Sequence, residues 1–138
     1  MYKIVVFLAM VLFFLGCNPR DLEDFQASGQ ELVGHIAAEL ATITSDKDLS
    51  LKKRVLKKDF RKLAKLMVQA AEYHRKHEDE EFDSLRLHPN SDRLCYEFLR
   101  IASEVEGGKL FLEELQQEIL DCLDVDIRKH QKSKNKIK

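Results

Sequence analysis

Apolar residues recur every three or four positions along four stretches of the chain, which is the spacing of one face of an α-helix. The spacing predicts helices over residues 20–44, 48–77, 91–106 and 109–128. No stretch alternates apolar and polar residues for long enough to predict a strand. We therefore expect an all-α domain over 21–128, in which about four amphipathic helices pack as a small bundle. An irregular orthogonal packing is the alternative, because the second helix is longer than its neighbours.

The apolar stripe of each helix gives the expected core positions. In chain order they include Leu22, Phe25, Leu32, Ile36, Leu40 and Ile43; Leu51, Val55, Leu56, Phe60, Leu63 and Met67; Leu94, Phe98, Ile101 and Val105; and Leu112, Leu115 and Ile119. These stripes must be buried against one another for the helices to be stable.

Local signals mark the ends of the helices. Ser45 and Asp48 have the spacing of a capping box, in which each residue bonds the backbone amide of the other. The segment 88–91, His-Pro-Asn-Ser, predicts a stop followed by a new helix, and Gly107-Gly108 predicts a helix end and a turn. The third and fourth helices are thus expected to form an antiparallel hairpin.

The first seventeen residues follow a different pattern. Lys3 precedes an unbroken apolar run over 4–15. The run is too short to span about 30 Å of hydrocarbon as a helix, but it fits the hydrophobic part of a secretory signal peptide. The last two residues of the run and the two that follow it, Phe14-Leu15-Gly16-Cys17, resemble the lipobox of bacterial lipoproteins.

This resemblance implies a lipid anchor at Cys17. In that class the signal peptide, here 1–16, is removed, and the cysteine becomes the first residue, with a diacylglycerol on its sulfur and an acyl chain on its amine. Two or three chains hold a protein firmly to a membrane, whereas one chain alone holds it marginally. Residues 17–20 would then be the acylated cysteine and a short tether.

The resemblance also implies a location. The protein would be held to a membrane of the cell envelope, on the extracytoplasmic side. Asn18 follows the cysteine, whereas members of the class that stay in the inner membrane of a two-membrane envelope often have Asp there. The outer membrane is therefore favoured.

Acidic and basic residues are segregated into separate segments of the chain, although its formal net charge is only −1. Residues 46–77 hold eleven basic and four acidic side chains, whereas 78–127 hold four basic and fifteen acidic ones. The basic residues Lys53, Lys57, Arg61 and Lys65 lie on successive turns of the second helix. We expect this basic patch to pair with the acidic third and fourth helices. The alternatives are contact with anionic lipid headgroups or with a partner protein.

The last ten residues, 129–138, are basic and almost free of apolar side chains, so we expect a disordered tail there. The near-neutral total charge and the location outside the cytoplasm argue against a nucleic-acid partner.

Cys95 and Cys122 stand at similar distances from the Gly107-Gly108 turn, so a hairpin would place them nearly opposite each other. A disulfide between them is permitted outside the cytosol. The alternative is two buried free thiols, since cysteine packs as a small apolar residue.

Metal chemistry is not predicted. His74, His77 and Glu78 share one helical face, and His88 could approach them, but no recognised zinc-ligand motif is present and the two basic residues between the histidines would repel a cation. The acidic run 78–83 lacks the glycine turn of a calcium loop and is expected to be solvated.

The sequence contains no nucleophile elbow and no glycine-rich phosphate loop, so we expect neither an enzyme nor a bound cofactor. An envelope hydrolase would need a convergent polar site. The function expected is that of a scaffold or assembly partner for another envelope protein. The alternative is a bundle that binds a lipid or another small ligand, which would need an apolar cavity between its helices.

Overall fold

The computed structural model describes residues 21–79 and 88–136, and this part of the chain is all-α with four helices. α1 spans Leu22–Ala41, α2 spans Asp46–Lys76, α3 spans Pro89–Glu104 and α4 spans Gly108–Asn135. The predicted fold class is confirmed. The signal peptide 1–16, Cys17 and the tether lie outside the described residues.

Side chains that bond free backbone amides set the starts of α2 and α3. The Ser45 hydroxyl accepts a hydrogen bond from the Asp48 amide at 3.3 Å, and the Asp48 carboxylate accepts one from the Ser45 amide at 3.1 Å. The predicted capping box is therefore present. At α3 the ring of His88 accepts a bond from the Asn90 amide, and Pro89 occupies the first helical position, where its missing N–H loses nothing.

The turn between α3 and α4 requires both of its glycines. Gly107 has φ 75°, in the left-handed region that glycine occupies without strain. Gly108 is buried, and a Cβ added there would stand 2.1 Å from the carbonyl oxygen of Ile101. Gly29 of α1 differs, because its added Cβ would meet only Leu66, at an ordinary 3.7 Å.

Hydrogen bonds between α1 and α3 show that these two helices run in the same direction. At the start of α3, the side-chain amide of Asn90 donates to the backbone carbonyl of Gln30 at 2.9 Å. Near the end of α3, the Arg100 guanidinium donates to the Leu40 carbonyl, also at 2.9 Å. α3 therefore begins level with the middle of α1 and ends level with its C-terminus.

Ion pairs show that α2 and α4 are also parallel neighbours. Lys53 pairs with Glu114, and Arg61, two turns further along α2, pairs with Glu118, one turn further along α4. α1 packs on α2 and α3, and α4 packs on the same two helices. The four helices thus stand as a bundle in which α1 lies diagonally opposite α4, and α2 lies diagonally opposite α3.

The core lies where the four helices meet. Its fully buried large side chains come from every helix: Ile36, Leu40, Ile43, Leu56, Ile101 and Leu115. The rings of Phe60 and Phe98 stack across the diagonal, with centroids 6.1 Å apart.

Three of the expected core positions on α2 are exposed. Leu51 and Val55 lie on the side of α2 that faces neither α1 nor α4. Met67 shares the core-facing side with Phe60, yet it is 47% exposed because α3 begins too late to cover it.

α4 is longer than predicted. It continues to Asn135, so residues 129–135, expected in the disordered tail, are helical. No glycine or proline interrupts this stretch, and Arg128 pairs with Asp124 one turn earlier at 2.6 Å. Basic side chains near a helix C-terminus also interact favourably with the helix dipole. Among the helices described, none combines the length and apolarity needed to cross a bilayer.

Candidate functional site

Three residues of the predicted basic patch pair with α4. Lys53 bonds Glu114, Lys57 lies 3.3 Å from Glu118, and the Arg61 guanidinium donates to both carboxylate oxygens of Glu118, at 2.8 and 3.3 Å. These contacts lie on the surface along the seam between α2 and α4. The expected pairing is confirmed with α4 for these three residues, whereas none of their ion pairs in the described part of the chain is with α3.

The pairing shifts the protonation of the groups in the seam. The hydrogen bond from Arg61, followed by the one from Lys57, lowers the pKa of Glu118, and the bond from Lys53 lowers the pKa of Glu114. Lys65, the fourth member of the patch, is exposed and has no acidic partner within 21–79 and 88–136. Most of the patch is therefore used to hold α2 against α4 and is not free for lipid or a partner.

The two cysteines do not form the predicted disulfide, and both are free thiols. Cys122 is half-buried and follows Glu118 by one turn, so it faces α2, close to Arg61, and not α3. Cys95 is exposed on the outside of α3, so it is not the buried thiol of the alternative prediction either.

The histidines considered as metal ligands have separate surroundings. His77 ends α2 and stacks on Tyr73, with ring centroids 4.0 Å apart. His88 caps α3, and His74 lies on the arm described below. Within the described ranges, no three metal-ligating side chains cluster. Of the acidic run 78–83, residues 80–83 lie outside the described part of the chain.

A buried ion pair that the sequence analysis did not single out joins α3 to α1. Arg100 donates to the Glu97 carboxylate at 2.7 Å and to the carbonyls of Ile43 and Leu40 at 2.8 and 2.9 Å. α1 has no basic residue in its last turn, so this guanidinium from α3 supplies the positive charge that a helix C-terminus favours. We call these contacts the Arg100 clamp.

Asp59 is a second buried charge that sequence analysis did not identify. It is 4% exposed among the apolar residues of α2. His35 and Lys62 each approach one of its oxygens at 3.4 Å. The only sequence signal was an acidic residue beside Phe60 on a helix whose other charges are mostly basic.

An apolar groove lies on the part of α2 and α4 that extends beyond the start of α3. We call this pair of helical segments, 67–76 and 120–135, the arm. The groove has a volume of about 590 Å³, and its apolar wall consists of Met67, Val68, Ala71, Leu123 and Ile127. Because Met67 continues the buried side of α2, the groove is the core of the bundle prolonged to a level where α3 is absent.

Polar side chains also border the groove: His74 and Arg75 of α2 and Gln131 of α4 stand at its far end, and Asp126 lies one residue before Ile127. Ile127 is 55% exposed, which is unusual for an isoleucine whose helix packs on a neighbour. A long, apolar channel between two parallel helices, closed by charged and amide groups, can accept an amphipathic helix or an extended hydrocarbon.

A smaller apolar surface lies on the outside of α3. Tyr96 is 63% exposed and Leu99, one turn later, is 72% exposed, with Cys95 beside them. This α3 stripe and the groove are on different helices, so they are separate exposed apolar surfaces.

Searches against protein-family models, curated proteins and solved structures find no match to this chain.

Proposed function

We propose that this protein is a non-enzymatic lipoprotein of the cell envelope, anchored through Cys17, that acts as a scaffold or assembly partner for another envelope protein. The groove is the observation that carries the proposal. It is an exposed continuation of the core on a domain whose basic patch is largely paired internally. The α3 stripe gives the domain a second contact surface, which a scaffold needs in order to join two molecules.

The groove fits one recurring form of recognition, in which an amphipathic helix lays its apolar side between two others. Such a helix would cover Met67, Leu123 and Ile127. It would occupy the place beside the arm that α3 occupies in the rest of the bundle. The charged groups at the far end would set its direction, because charged rims contribute more to register than to affinity.

Binding of a lipid or another small ligand is the second candidate. The groove has a volume of about 590 Å³, which is in the range of ligand sites, and its wall is apolar. The groove is open along its side, however, so a bound acyl chain would keep much of its surface in water. We rank this second, because ligand sites usually bury most of the ligand.

The anchor is tested by changing Cys17 to Ala and labelling cells with a fatty-acid analogue. We expect the label to be lost and the signal peptide to be retained. Label that persists on the variant would contradict the assignment of Cys17.

The groove is tested by placing a photoreactive amino acid at Ile127 in the full chain and irradiating living cells. Val125 is the matched control, since it is 53% exposed on the same helix but does not line the groove. We expect a cross-link to a protein from position 127 and none from 125. Equal cross-linking from both positions would contradict a groove-bound protein, and a cross-link to lipid alone would support the second candidate.

A further inference from the structure

Three exposed lysines near the end of α4 lie on one side of the helix. Lys129, Lys132 and Lys136 follow at spacings of three and four, which places them in one stripe. All three are exposed, and none has an acidic partner in the described part of the chain. They differ in this from Lys53, Lys57 and Arg61 of the predicted patch. We call them the α4 basic stripe.

The stripe and the groove occupy opposite sides of α4. Ile127 marks the groove, and Lys132 and Lys136 lie five and nine residues later, which turns them about 140° and 180° around the helix. A surface bound by the stripe would therefore leave the groove open.

The stripe also lies at the end of the bundle where the anchor enters. α1 starts at Leu22, and Phe25 in its first turn contacts Tyr73 near the end of α2, with ring centroids 5.7 Å apart. Cys17 precedes Asp21 by four residues, which can span at most about 14 Å. The acyl chains proposed on Cys17 would therefore hold this end of the bundle close to the membrane surface.

We propose that the α4 basic stripe binds the anionic phospholipid headgroups of the leaflet that holds the acylated Cys17. The inference rests on the proposed function for the anchor, but the binding itself requires only the charges. Acyl chains together with basic residues are a recurring two-part membrane attachment. The lysines would fix the angle of the bundle to the membrane.

The test uses chain 17–138 with Cys17→Ser, which keeps the four described helices and removes the site of acylation. Its flotation is compared on vesicles of phosphatidylcholine alone and on vesicles with roughly one third phosphatidylglycerol. We expect binding only to the anionic vesicles. Each basic residue near such a surface strengthens binding about fivefold, so changing all three stripe lysines to Gln is expected to weaken it roughly a hundredfold.

The matched control changes three basic residues elsewhere to Gln, namely Lys47, Arg54 and Lys58. They are exposed on the first half of α2, away from the end where the anchor would enter, and the total charge changes by the same amount. Binding should stay within a few-fold of the parent chain and should weaken as salt is added.

Three results would overturn the proposal: equal loss in the stripe and control variants, no binding of the parent chain to anionic vesicles, or equal binding to neutral vesicles. Because the chain tested carries no lipid, none of these results depends on whether Cys17 is acylated in cells. Label that persists on Cys17→Ala, together with stripe-dependent binding to anionic vesicles, would overturn the anchor and leave the stripe proposal standing. Label that is lost, together with no stripe-dependent binding, would overturn the stripe proposal alone.

Discussion

Replacing Arg100 with Met removes the clamp between α3 and α1 while preserving the length of the side chain. Three hydrogen bonds from the guanidinium disappear, two of them to carbonyls at the C-terminus of α1. Glu97, whose side chain is 9% exposed, would lose the guanidinium that pairs with it. Removing one member of a buried ion pair destabilises a protein by about 3–5 kcal/mol, and this is the loss we expect.

A double-variant cycle identifies the cause of that loss. If most of the loss in Arg100→Met comes from the unpaired Glu97 carboxylate, adding Glu97→Met to that variant should restore part of the stability. The double variant should then remain about 1–3 kcal/mol less stable than the parent chain, because the bonds to α1 are missing. Glu97→Met alone should be milder than Arg100→Met, because its partner keeps two carbonyl acceptors. The two losses should therefore sum to more than the loss in the double variant.

Urea unfolding of chain 17–138 with Cys17→Ser, followed by circular dichroism, measures these differences. A loss below about 1 kcal/mol for Arg100→Met would contradict the reasoning, since that is the range of an exposed ion pair. Strictly additive losses would show that the two side chains do not act as a pair.

Further expectations concern packing, pH and thiol access. Gly29→Ala should stabilise the domain by about 0.5–1 kcal/mol, because helix propensity improves without a clash. Gly108→Ala should destabilise the domain by about 3 kcal/mol, because the added methyl group overpacks the turn. Thermal unfolding of the two variants measures both changes. The lowered pKa of Glu118 means that its contribution to stability is complete above the ordinary value of 4.5 and is lost as the pH falls through the lowered pKa. Glu118→Gln should therefore lower the urea midpoint of unfolding at neutral pH, and the midpoint should decrease less than in the parent chain as the pH is lowered. A midpoint that depends on pH as it does in the parent chain would argue against this. A maleimide should label Cys95 faster than Cys122 in the folded protein, and equal rates would contradict the difference in burial.

The four helices could be predicted from the sequence because their signals are local. A stripe such as Ile36, Leu40 and Ile43 has the helical period within a few turns, and the bonds between Ser45 and Asp48 join residues three positions apart. The helical period and the capping bonds depend only on the segment in which they occur, so they can be predicted without knowing how the helices pack.

The neighbours of each helix could not be predicted in the same way. An amphipathic stripe states that a side is buried, but not against which helix. Cys122 was expected to face α3 because the two helices are joined by a short turn, yet its side of α4 is turned toward α2. The exposure of Met67 likewise depends on where α3 begins, which is a property of the packed bundle and not of α2.

The buried charges are the other part that the sequence did not reveal. Glu97 and Arg100 are three residues apart on an acidic helix, where such pairs are usually solvated. Only the approach of the C-terminus of α1 gives Arg100 its two carbonyl acceptors. For the groove, the available sequence signal was the length of α2 and α4 relative to α3, but it was partly hidden because residues 129–135 carry no apolar pattern.

The proposed lipid anchor at Cys17 would place the protein at a membrane, and mass spectrometry of the N-terminal peptide tests for it. The full chain would be expressed in bacteria, extracted from membranes with detergent and digested with trypsin. We expect a peptide 17–20, Cys-Asn-Pro-Arg, that begins at Cys17 and has the added mass of two or three acyl chains. An unmodified peptide 4–20, with the apolar run still joined to Cys17, would contradict this expectation.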